Sequence, residues 1–465
     1  MQKDFTMTQI KYFSTNHRAN EVTFGEALLK GLAPDKGLFM PNTIPTFSVD
    51  ELNALKGKEY YEIAAEVFSK FLGDEVPMSD LLTMTKDAYN YSVPLEKVVD
   101  RKYVMRLDQG PTASFKDFAG RMMGRMMQYF LKRQNVNKLI LTATSGDTGS
   151  AMAHAFYGLN NIKIAVLFPE KEVSDRQRKQ MTTLQKNVQI IAINGKFDDA
   201  QAMVKQAFSD PDLECLNFTS ANSINIGRLI PQIVYYIYSY TQLRKQDSNE
   251  LENVVFCIPS GNFGDMMGCV LAMKMGLPVK RILVATNEND EFEKLMKTHT
   301  YNKIEPSKNC LSSAMNVGHP SNLARLIELY GGNMDEKGNI LKAPNFDEMD
   351  KIFVAQSVTD AETRETIKQA WNSYHVMLEP HGAVGWKCVE DFIANENVDK
   401  NQLLISLETA HPAKFPAAII DAIGVDPELP ESLNGLEGKP EFFDKIDGNY
   451  PSFKEYLDKK YGWRK

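Results

Sequence analysis

The chain has 465 residues, of which 43% are hydrophobic and 24% charged, so it has the composition of an ordinary globular protein and is too long for one simple domain. Its formal net charge of -7, from 53 basic and 60 acidic residues, argues against a nucleic-acid surface, which needs a basic excess. This balance still allows a local cationic pocket for a small anion.

The sequence gives no sign of export, membrane insertion or metal binding. Its first residues, MQKDFTMTQ, carry charges and lack the apolar region of a signal peptide. The most apolar helical stretch, 230–240, is too short to span a bilayer. The five cysteines stand at wide spacings without a C-x-x-C pair, which predicts reduced, buried thiols in a cytoplasmic protein. Because no H-E-x-x-H or EF-hand pattern occurs either, we expect no metal site.

The predicted elements change character along the chain. The first 90 residues mix short helical patterns with turn signals, among them the glycine- and proline-rich turn at 31–37. From residue 138 onward, short apolar runs typical of buried strands alternate with helical patterns. The predicted strands are 138–144, 162–168, 188–193, 253–258, 281–285 and 403–407, and the predicted helices are 148–157, 174–184, 198–208 and 265–275.

Strands that alternate with helices predict right-handed crossovers and a mostly parallel, helix-covered sheet. Because the alternation comes in two series, the sequence predicts an α/β fold of two parallel-sheet units with a cleft between them. Ligands of such folds bind beyond the carboxyl ends of the strands, and the informative motifs fall at those ends.

The run Ser260-Gly261-Asn262-Phe263-Gly264 lies between a predicted strand and a predicted helix. Small residues allow backbone N–H groups to converge there, and the helix N-terminus adds a positive partial charge, so the run can hold a phosphate. A tight strand-to-helix turn without a ligand explains the same residues equally well.

A second strand-to-helix run contains Thr144, Ser145, Asp147 and Thr148. Its hydroxyl and N–H groups could bind a carboxylate or a phosphate. Ser145, Asp147 and Thr148 are also ordinary N-cap residues, and both interpretations can hold together.

Lys116 follows the turn GPTASF and precedes a basic, methionine-rich helical pattern. A lysine in such a place is usually a solvated surface residue. A lysine that forms a Schiff base with an aldehyde cofactor must lie near a phosphate anchor, which the sequence also offers. The simplest role for the methionines at 122, 123, 126 and 127 is core packing.

Two further runs carry polar candidates. In 220–228, Ser223 and Asn225 precede Arg228, whose guanidinium could bind a phosphate through two hydrogen bonds, although a capped helix start is the plain alternative. In 407–415, the hydroxyl of Thr409 could hydrogen-bond a ring nitrogen, and the alternative is a turn with proline at a helix start. His381 and His411 have no stronger interpretation than structural histidines.

Taken together and in this order, these runs resemble the threonine synthases, a branch of the fold type II, tryptophan-synthase-β-like enzymes that use pyridoxal 5'-phosphate (PLP). The resemblance covers most of the chain. The matching runs are FGEALLKGLAPDKGLFMP at 24–41, PTASFKDFAGR around Lys116, TATSGDTGSAMAHAFYG around Asp147, PSGNFGD at 259–265 and LETAHPAKF at 407–415.

The resemblance implies a role for each run. Lys116 becomes the catalytic Schiff-base lysine, the residues from Ser260 to Gly264 the cofactor-phosphate loop, and Thr409 the partner of the pyridine nitrogen. At Asp147 many fold type II enzymes have Asn, which contacts the cofactor's phenolic oxygen. A carboxylate there repels a phenolate unless a proton is shared.

For the substrate, the resemblance implies O-phospho-L-homoserine, converted with water to L-threonine and phosphate by a carbon–oxygen lyase of threonine biosynthesis. The implied phosphate ligands are Ser223, Asn225, Arg228, Asn262 and Thr148, and the implied carboxylate ligands are Thr144, Ser145 and Thr148. Alternatives are a phospho-lyase or dehydratase on the same fold, and a non-catalytic PLP- or phosphate-binding protein.

The resemblance also implies a domain organisation. We expect a threonine-synthase-type N-terminal domain at 1–90, a PLP-dependent α/β core at 91–425 whose smaller subdomain is 135–230, and a C-terminal segment at 426–465 that packs on the core. A monomer is favoured and a dimer stays open, with no nucleic-acid or membrane partner.

Overall fold

The computed structural model describes residues 9–144, 146–245 and 251–462. The strands of this part of the chain are β1 Tyr12–Ser14, β2 Phe39–Pro41, β3 Leu95–Val99, β4 Lys102–Arg106, β5 Lys138–Ala143, β6 Ile162–Pro169, β7 Val188–Asn194, β8 Phe218–Thr219, β9 Val254–Pro259, β10 Val279–Thr286, β11 Asn333–Met334, β12 Ile340–Lys342, β13 Phe353–Ser357, β14 Leu403–Glu408 and β15 Asp444–Asp447.

The α-helices of the same ranges are α1 Phe24–Lys30, α2 Val49–Ala54, α3 Tyr60–Leu72, α4 Met78–Ala88, α5 Lys116–Gln134, α6 Asp147–Phe156, α7 Asp175–Thr182, α8 Phe197–Ser209, α9 Ile226–Leu229, α10 Val234–Leu243, α11 Gly264–Lys274, α12 Glu291–Thr298, α13 Leu323–Leu329, α14 Phe346–Asp350, α15 Asp360–Tyr374, α16 Pro380–Glu396, α17 Pro416–Ile423 and α18 Tyr450–Tyr461. Short 3-10 turns at Gly73–Glu75, Pro211–Leu216, Ile230–Ile233, Ser313–Met315, Pro412–Lys414 and Glu431–Leu433 complete the list.

Two parallel sheets form the centre of the molecule. The larger has six strands in the order β13-β10-β9-β14-β4-β3, parallel except for the edge pair β3 and β4. The smaller has five strands in the order β15-β7-β6-β5-β8, all parallel. The predicted α/β class with two parallel-sheet units is therefore confirmed.

The predicted strands and helices from residue 138 onward are confirmed to within two residues at nearly every boundary. Five strands of the two large sheets were not predicted. β3 and β4 lie at one edge of the larger sheet and β13 at the other, while β8 and the C-terminal strand β15 form the two edges of the smaller sheet. Edge strands are half exposed and short, so they lack the continuous apolar run that marks a central parallel strand.

The methionine-rich helix α5 packs in the core that extends between the two sheets. Met122, Met123, Met126 and Met127 are fully buried, as predicted. All five cysteines are free, and four are buried. The expectation of a buried thiol is wrong for Cys215, which is exposed within the 3-10 turn at Pro211–Leu216.

No described helix combines the length and the apolar composition that a bilayer crossing requires.

Candidate active site

Four polar segments meet where parallel strands end. Three of them follow the adjacent strands β9, β14 and β4 of the larger sheet: the loop at 260–263, Thr409, and the turn that leads to Lys116. The fourth follows β5 of the smaller sheet and carries Asp147. Because carboxyl ends of parallel strands meet at one edge, the fold collects groups that are about 300 residues apart in the chain.

Lys116 is the first residue of α5 and its side chain is 12% exposed. The turn before it is held against the segment after β14, since Phe115 N–H donates to Thr409 O at 2.9 Å and His411 N–H donates to Ala113 O at 3.0 Å. These backbone bonds fix the start of α5 beside Thr409.

The Lys116 amine makes few contacts. Its Nζ lies 3.9 Å from Asp147 Oδ2 and 5.1 Å from the centre of the Phe115 ring. Burial lowers the pKa of Lys116, and the nearby cations of Lys414 and Arg228 lower it further against the opposing charge of Asp147. The arrangement favours a neutral, nucleophilic amine.

Asp147 begins α6 and is held by two donors. Lys414 Nζ lies 2.8 Å from Asp147 Oδ1, and Gln177 Nε2 donates to the same oxygen at 3.0 Å. Burial by itself would raise the pKa of Asp147, but the charge of Lys414 and the hydrogen bonds from Lys414 and Gln177 hold it well below its usual value. Asp147 is therefore a carboxylate in this structure.

The loop from Ser260 to Gly264 is shaped as an anion cradle at the N-terminus of α11. Ser260 N–H donates to Ala285 O, but no described residue accepts a hydrogen bond from the N–H groups of residues 261–264. A Cβ at Gly261 would come within 2.9 Å of Ala314 O, and Phe263 adopts a left-handed φ of 62°. Free N–H groups at a helix N-terminus fit a phosphate.

Thr409 lies directly after β14, with its side chain 6% exposed. Its hydroxyl donates to Glu379 Oε1 at 3.4 Å. Glu379 in turn accepts from Gly382 N–H at 3.0 Å and from the ring of His381, whose other nitrogen accepts from Ala314 N–H at 3.0 Å. The hydroxyl is thus connected to the segment that packs on Gly261.

Arg228 is a buried cation in α9. Its Nη1 donates to Ala221 O at 2.8 Å and contacts Met152 Sδ at 3.2 Å, while Nε has no partner among the described residues. Burial lowers its pKa to about 10, and no described carboxylate lies within ion-pair distance. A buried guanidinium with unused donors fits an anionic ligand.

The other predicted phosphate ligands differ in how many of their polar groups already form hydrogen bonds within the protein. Ser223 lies 3.7 Å from the position of a Cβ on Gly264, next to the loop. Asn262 Oδ1 accepts from Ser321 N–H at 3.4 Å. Asn225 is fully engaged, because its amide donates to Leu28 O and Ser220 O and its oxygen accepts from Gly227 N–H. As placed, Asn225 holds the loop and has no free donor for a ligand.

Of the predicted carboxylate ligands, Thr144 is buried and its hydroxyl oxygen accepts from Gly146 N–H at 2.9 Å and Gly149 N–H at 2.8 Å. It therefore caps α6. Thr148 lies in the first turn of α6 and is partly exposed. Ser145 lies outside the described residues.

Four residues at this site were not predicted from the sequence: Lys414, Gln177, Glu379 and Asp265. Lys414 lies in the run LETAHPAKF, but a lysine after a turn gives no signal of burial. Asp265, in the first turn of α11, accepts hydrogen bonds from Tyr235 and Tyr236, and burial raises its pKa to about 6. The burial of Lys414 and the hydrogen-bond partners of Asp265 could not be inferred without the tertiary structure.

The residues fit PLP chemically: a buried lysine with a lowered pKa, a cradle of free N–H groups and a hydroxyl meet at one edge. A family model described as "Pyridoxal-phosphate dependent enzyme" matches residues 93–407, more than half of the chain. The fold and the site thus define a pyridoxal-phosphate-dependent enzyme.

Two narrower family models match the rest: "Threonine synthase N terminus" over residues 11–89 and "Threonine synthase, C-terminal" over residues 382–457. The chain is 37% identical to the threonine synthase of Haemophilus influenzae, over 96% of this chain and 99% of that one, and 36% identical to that of Escherichia coli, over 91% and 94%. The chain belongs to the threonine synthase family of PLP-dependent lyases.

Solved structures agree. A PLP-bound threonine synthase from Brucella melitensis superposes with a TM-score of 0.90 at 34% identity and covers 96% of this chain and 98% of that one. A threonine synthase from yeast gives a TM-score of 0.87 at 31% identity, with 97% and 98% covered. A threonine deaminase from Solanum lycopersicum, at 16% identity and a TM-score of 0.53, shares the fold alone.

Outside this site, the fold brings together Glu288, Cys310 and Asp360, whose ligand atoms lie within 4.8 Å of one another. The three residues are too far apart in the chain for a sequence motif. Acidic groups such as Glu288 and Asp360 often lie close together at a protein surface without an ion.

Proposed function

We propose that the protein converts O-phospho-L-homoserine and water to L-threonine and phosphate, with PLP bound at the edge where the strands end. The observation that carries this proposal is the pairing of two anion sites with one amine: the cradle at 261–264 for the cofactor phosphate, and the uncompensated Arg228 for a second phosphate. The family membership supports the same reaction.

Lys116 is the residue to which we assign the covalent attachment of the cofactor. When bound, PLP supplies an electron sink for negative charge that develops on the substrate. The Lys116 amine, when it is free, can take the proton from the substrate Cα and return a proton later in the cycle. Its lowered pKa supports this role, because a base works best when its pKa lies near the operating pH.

We assign the substrate phosphate to Arg228 with Ser223, Asn262 and Thr148 as neutral donors, and the substrate carboxylate to the first turn of α6. Arg228 is supported by its unused Nε and by its closeness to Lys116, whose pKa it lowers. Asn225 is left to position the loop, since its three polar contacts are already made within the protein.

Thr409 is proposed to hold the ring nitrogen of the cofactor. Its hydroxyl is buried and donates its proton to Glu379 at 3.4 Å, which leaves its oxygen to accept a hydrogen bond from a protonated ring nitrogen. The burial of Thr409 and Glu379 supports the exclusion of water from this end of the site.

We also propose the domain division 1–90, 91–425 and 426–465, a cytoplasmic location and a monomeric state. The first boundary is supported by the family models that end at residue 89 and begin at residue 93. The packing of the C-terminal segment on the core is supported by β15, which this segment contributes to the smaller sheet. The cytoplasmic location is supported by the five free cysteines.

Incubation of the PLP-loaded protein with O-phospho-L-homoserine, with identification of every product, tests the proposal. Threonine and phosphate in equal amounts are the expected result. Phosphate with 2-oxobutyrate would assign the protein to the phospho-lyases, and the absence of phosphate release would overturn the assigned substrate.

A further inference from the structure

A second lysine, Lys414, is buried more deeply than Lys116 and has no part in the roles assigned above. Its side chain is 1% exposed. Its Nζ lies 2.8 Å from Asp147 Oδ1 and donates to Thr112 O at 3.0 Å. Such a lysine carries a charge only because it is paired and hydrogen-bonded.

Asp147 therefore stands between two amines. One oxygen faces Lys414 at 2.8 Å and the other faces Lys116 at 3.9 Å. Among the described residues, no other carboxylate lies within 4.0 Å of either amine. One buried negative charge compensates one buried positive charge well and two poorly, because each additional buried charge adds a desolvation cost.

The two amines differ in what they offer to a proton. Lys414 has an ion-pair partner at hydrogen-bond distance and a backbone carbonyl, whereas Lys116 has a longer contact and an aromatic ring. The charge therefore belongs to the amine that has more hydrogen-bond acceptors for its ammonium protons.

We propose that Lys414, paired with Asp147, carries the positive charge of this cluster and so keeps Lys116 as the neutral amine that attaches the cofactor. Lys414 is then a positioning residue that acts through Asp147. The inference rests on the proposed attachment of PLP to Lys116.

Other charged groups also lie near the two amines. Those around Lys116, besides Asp147 and Lys414, are Arg228, Glu379 and Asp265. Those around Lys414, besides Asp147 and Lys116, are Asp117, His154 and His411. Asp117 is already bonded by the N–H and the hydroxyl of Thr112, at 2.8 and 2.7 Å, so it does not replace Asp147 as the partner of either amine.

The pairing also gives the buried Asp147 a counterion at hydrogen-bond distance. The Asp147–Lys414 pair is neutral as a whole, so Asp147 brings little uncompensated negative charge to the site beside Lys116.

The test measures how fast the full-length chain, freed of cofactor, attaches added PLP covalently as the pH is varied, with the visible absorbance as readout. Only a neutral amine attacks the aldehyde, so the profile reports the protonation of Lys116. Lys414→Met should slow attachment at neutral pH by about tenfold and shift the profile to higher pH, because Lys116 takes over the charge.

Three companion variants separate charge from packing. Lys414→Arg keeps a cation beside Asp147 and should keep the wild-type profile. Asp147→Asn removes the anion and should shift the profile to lower pH, opposite to Lys414→Met. Lys102→Met removes a lysine of similar burial, 4% exposed and 3.7 Å from Asp100, and should leave the profile unchanged.

The inference is overturned if Lys414→Met leaves the profile at the wild-type position, or if Lys414→Met and Asp147→Asn shift it in the same direction. A wild-type chain that takes up no PLP covalently would instead overturn the proposed function, and this inference with it. Thermal unfolding of each variant shows whether it is folded. If Lys414→Met does not fold, the pH profiles of Asp147→Asn and Lys414→Arg test the inference instead.

Discussion

Two buried arginines of this molecule, Arg228 and Arg325, carry their charge in different ways. Burial lowers the pKa of Arg228 to about 10 and that of Arg325 to about 9, and neither has a described carboxylate within ion-pair distance. Arg228 uses one nitrogen, on Ala221 O and a sulfur.

Arg325 uses all three nitrogens on neutral acceptors. Its guanidinium donates to Phe39 O from two nitrogens, at 3.0 and 3.2 Å, to Ile224 O at 2.6 Å, to Asn322 Oδ1 at 2.5 Å and to Ser223 O at 3.4 Å. It thereby joins the N-terminal strand β2 to the loop before α9 and to α13.

This difference distinguishes a buried charge with a structural role from one that is available to bind a ligand. A cation whose donors are all used within the protein stabilises the fold, and its loss leaves carbonyls without a partner. A cation with unused donors adds a desolvation cost to the folded protein, and an anionic ligand repays that cost when it binds. Four substitutions test this distinction.

The largest effect is expected at Lys116, which resembles Arg228 in having few contacts. Lys116→Ala should abolish covalent attachment of PLP and lower turnover by about 1,000-fold or more, because both the attachment point and the base are removed. Absorbance spectra and product formation measure the two losses. An active, yellow Lys116→Ala protein would contradict the assignment, and Lys102→Met serves as the control for loss of a buried lysine.

Arg228→Met should lower kcat/KM for O-phospho-L-homoserine by about 100-fold, the equivalent of about 3 kcal/mol for a charge-assisted contact to phosphate. Its free energy of unfolding should stay the same or rise, since the variant removes an uncompensated buried charge. Steady-state kinetics and urea unfolding check the two expectations. A strong loss of stability with intact kinetics would reverse the roles of the two arginines.

Arg325→Met is the matched substitution. It should lower the free energy of unfolding by about 3 kcal/mol, because it leaves several buried oxygens without a donor. The urea midpoints of Arg325→Met and Arg228→Met, measured under the same conditions, give the difference in stability between the two variants. Equal stability of the two variants would contradict the distinction between used and unused donors.

The smallest effect is expected at the acid Asp265, whose pKa is raised to about 6 from 3.8. Burial raises it, and the bonds from Tyr235 and Tyr236 oppose the rise. The raised value means that the folded state holds the proton more tightly than the unfolded state does. Its contribution to stability is therefore fully present below about pH 4 and is lost as the pH rises through about 6.

Above that pH the ionised, buried Asp265 costs about 2 to 3 kcal/mol. Asp265→Asn should therefore gain stability relative to the wild type on going from acidic to alkaline pH, by up to that amount. Urea unfolding of both proteins at about pH 4 and at a pH above 6, with saturating PLP throughout, measures the gain in stability. A difference that does not change with pH would show that Asp265 keeps an ordinary pKa.

The central strands were predictable because a parallel strand buried on both faces must be a continuous apolar run, as in β5, β6 and β9. The runs around Lys116, Asp147 and Thr409 could be predicted as candidate ligand-binding segments, because glycine-rich strand-to-helix turns and their hydroxyl groups are local features of the sequence. Edge strands such as β13 and β15 were not predictable, because their pairing depends on partners far away in the chain.

The α/β class, the family, the cofactor and the candidate site segments were predictable from the sequence alone, because each is indicated by local periodicity or by a long run of matching residues. The polar groups that are left without partners could be identified only in the tertiary structure. It joined Lys414 to Asp147 across 267 positions, used up the donors of Asn225 and Arg325, and left those of Arg228 free. The physical reason is that the charge and reactivity of a buried group depend on its neighbours in space, which no local pattern specifies.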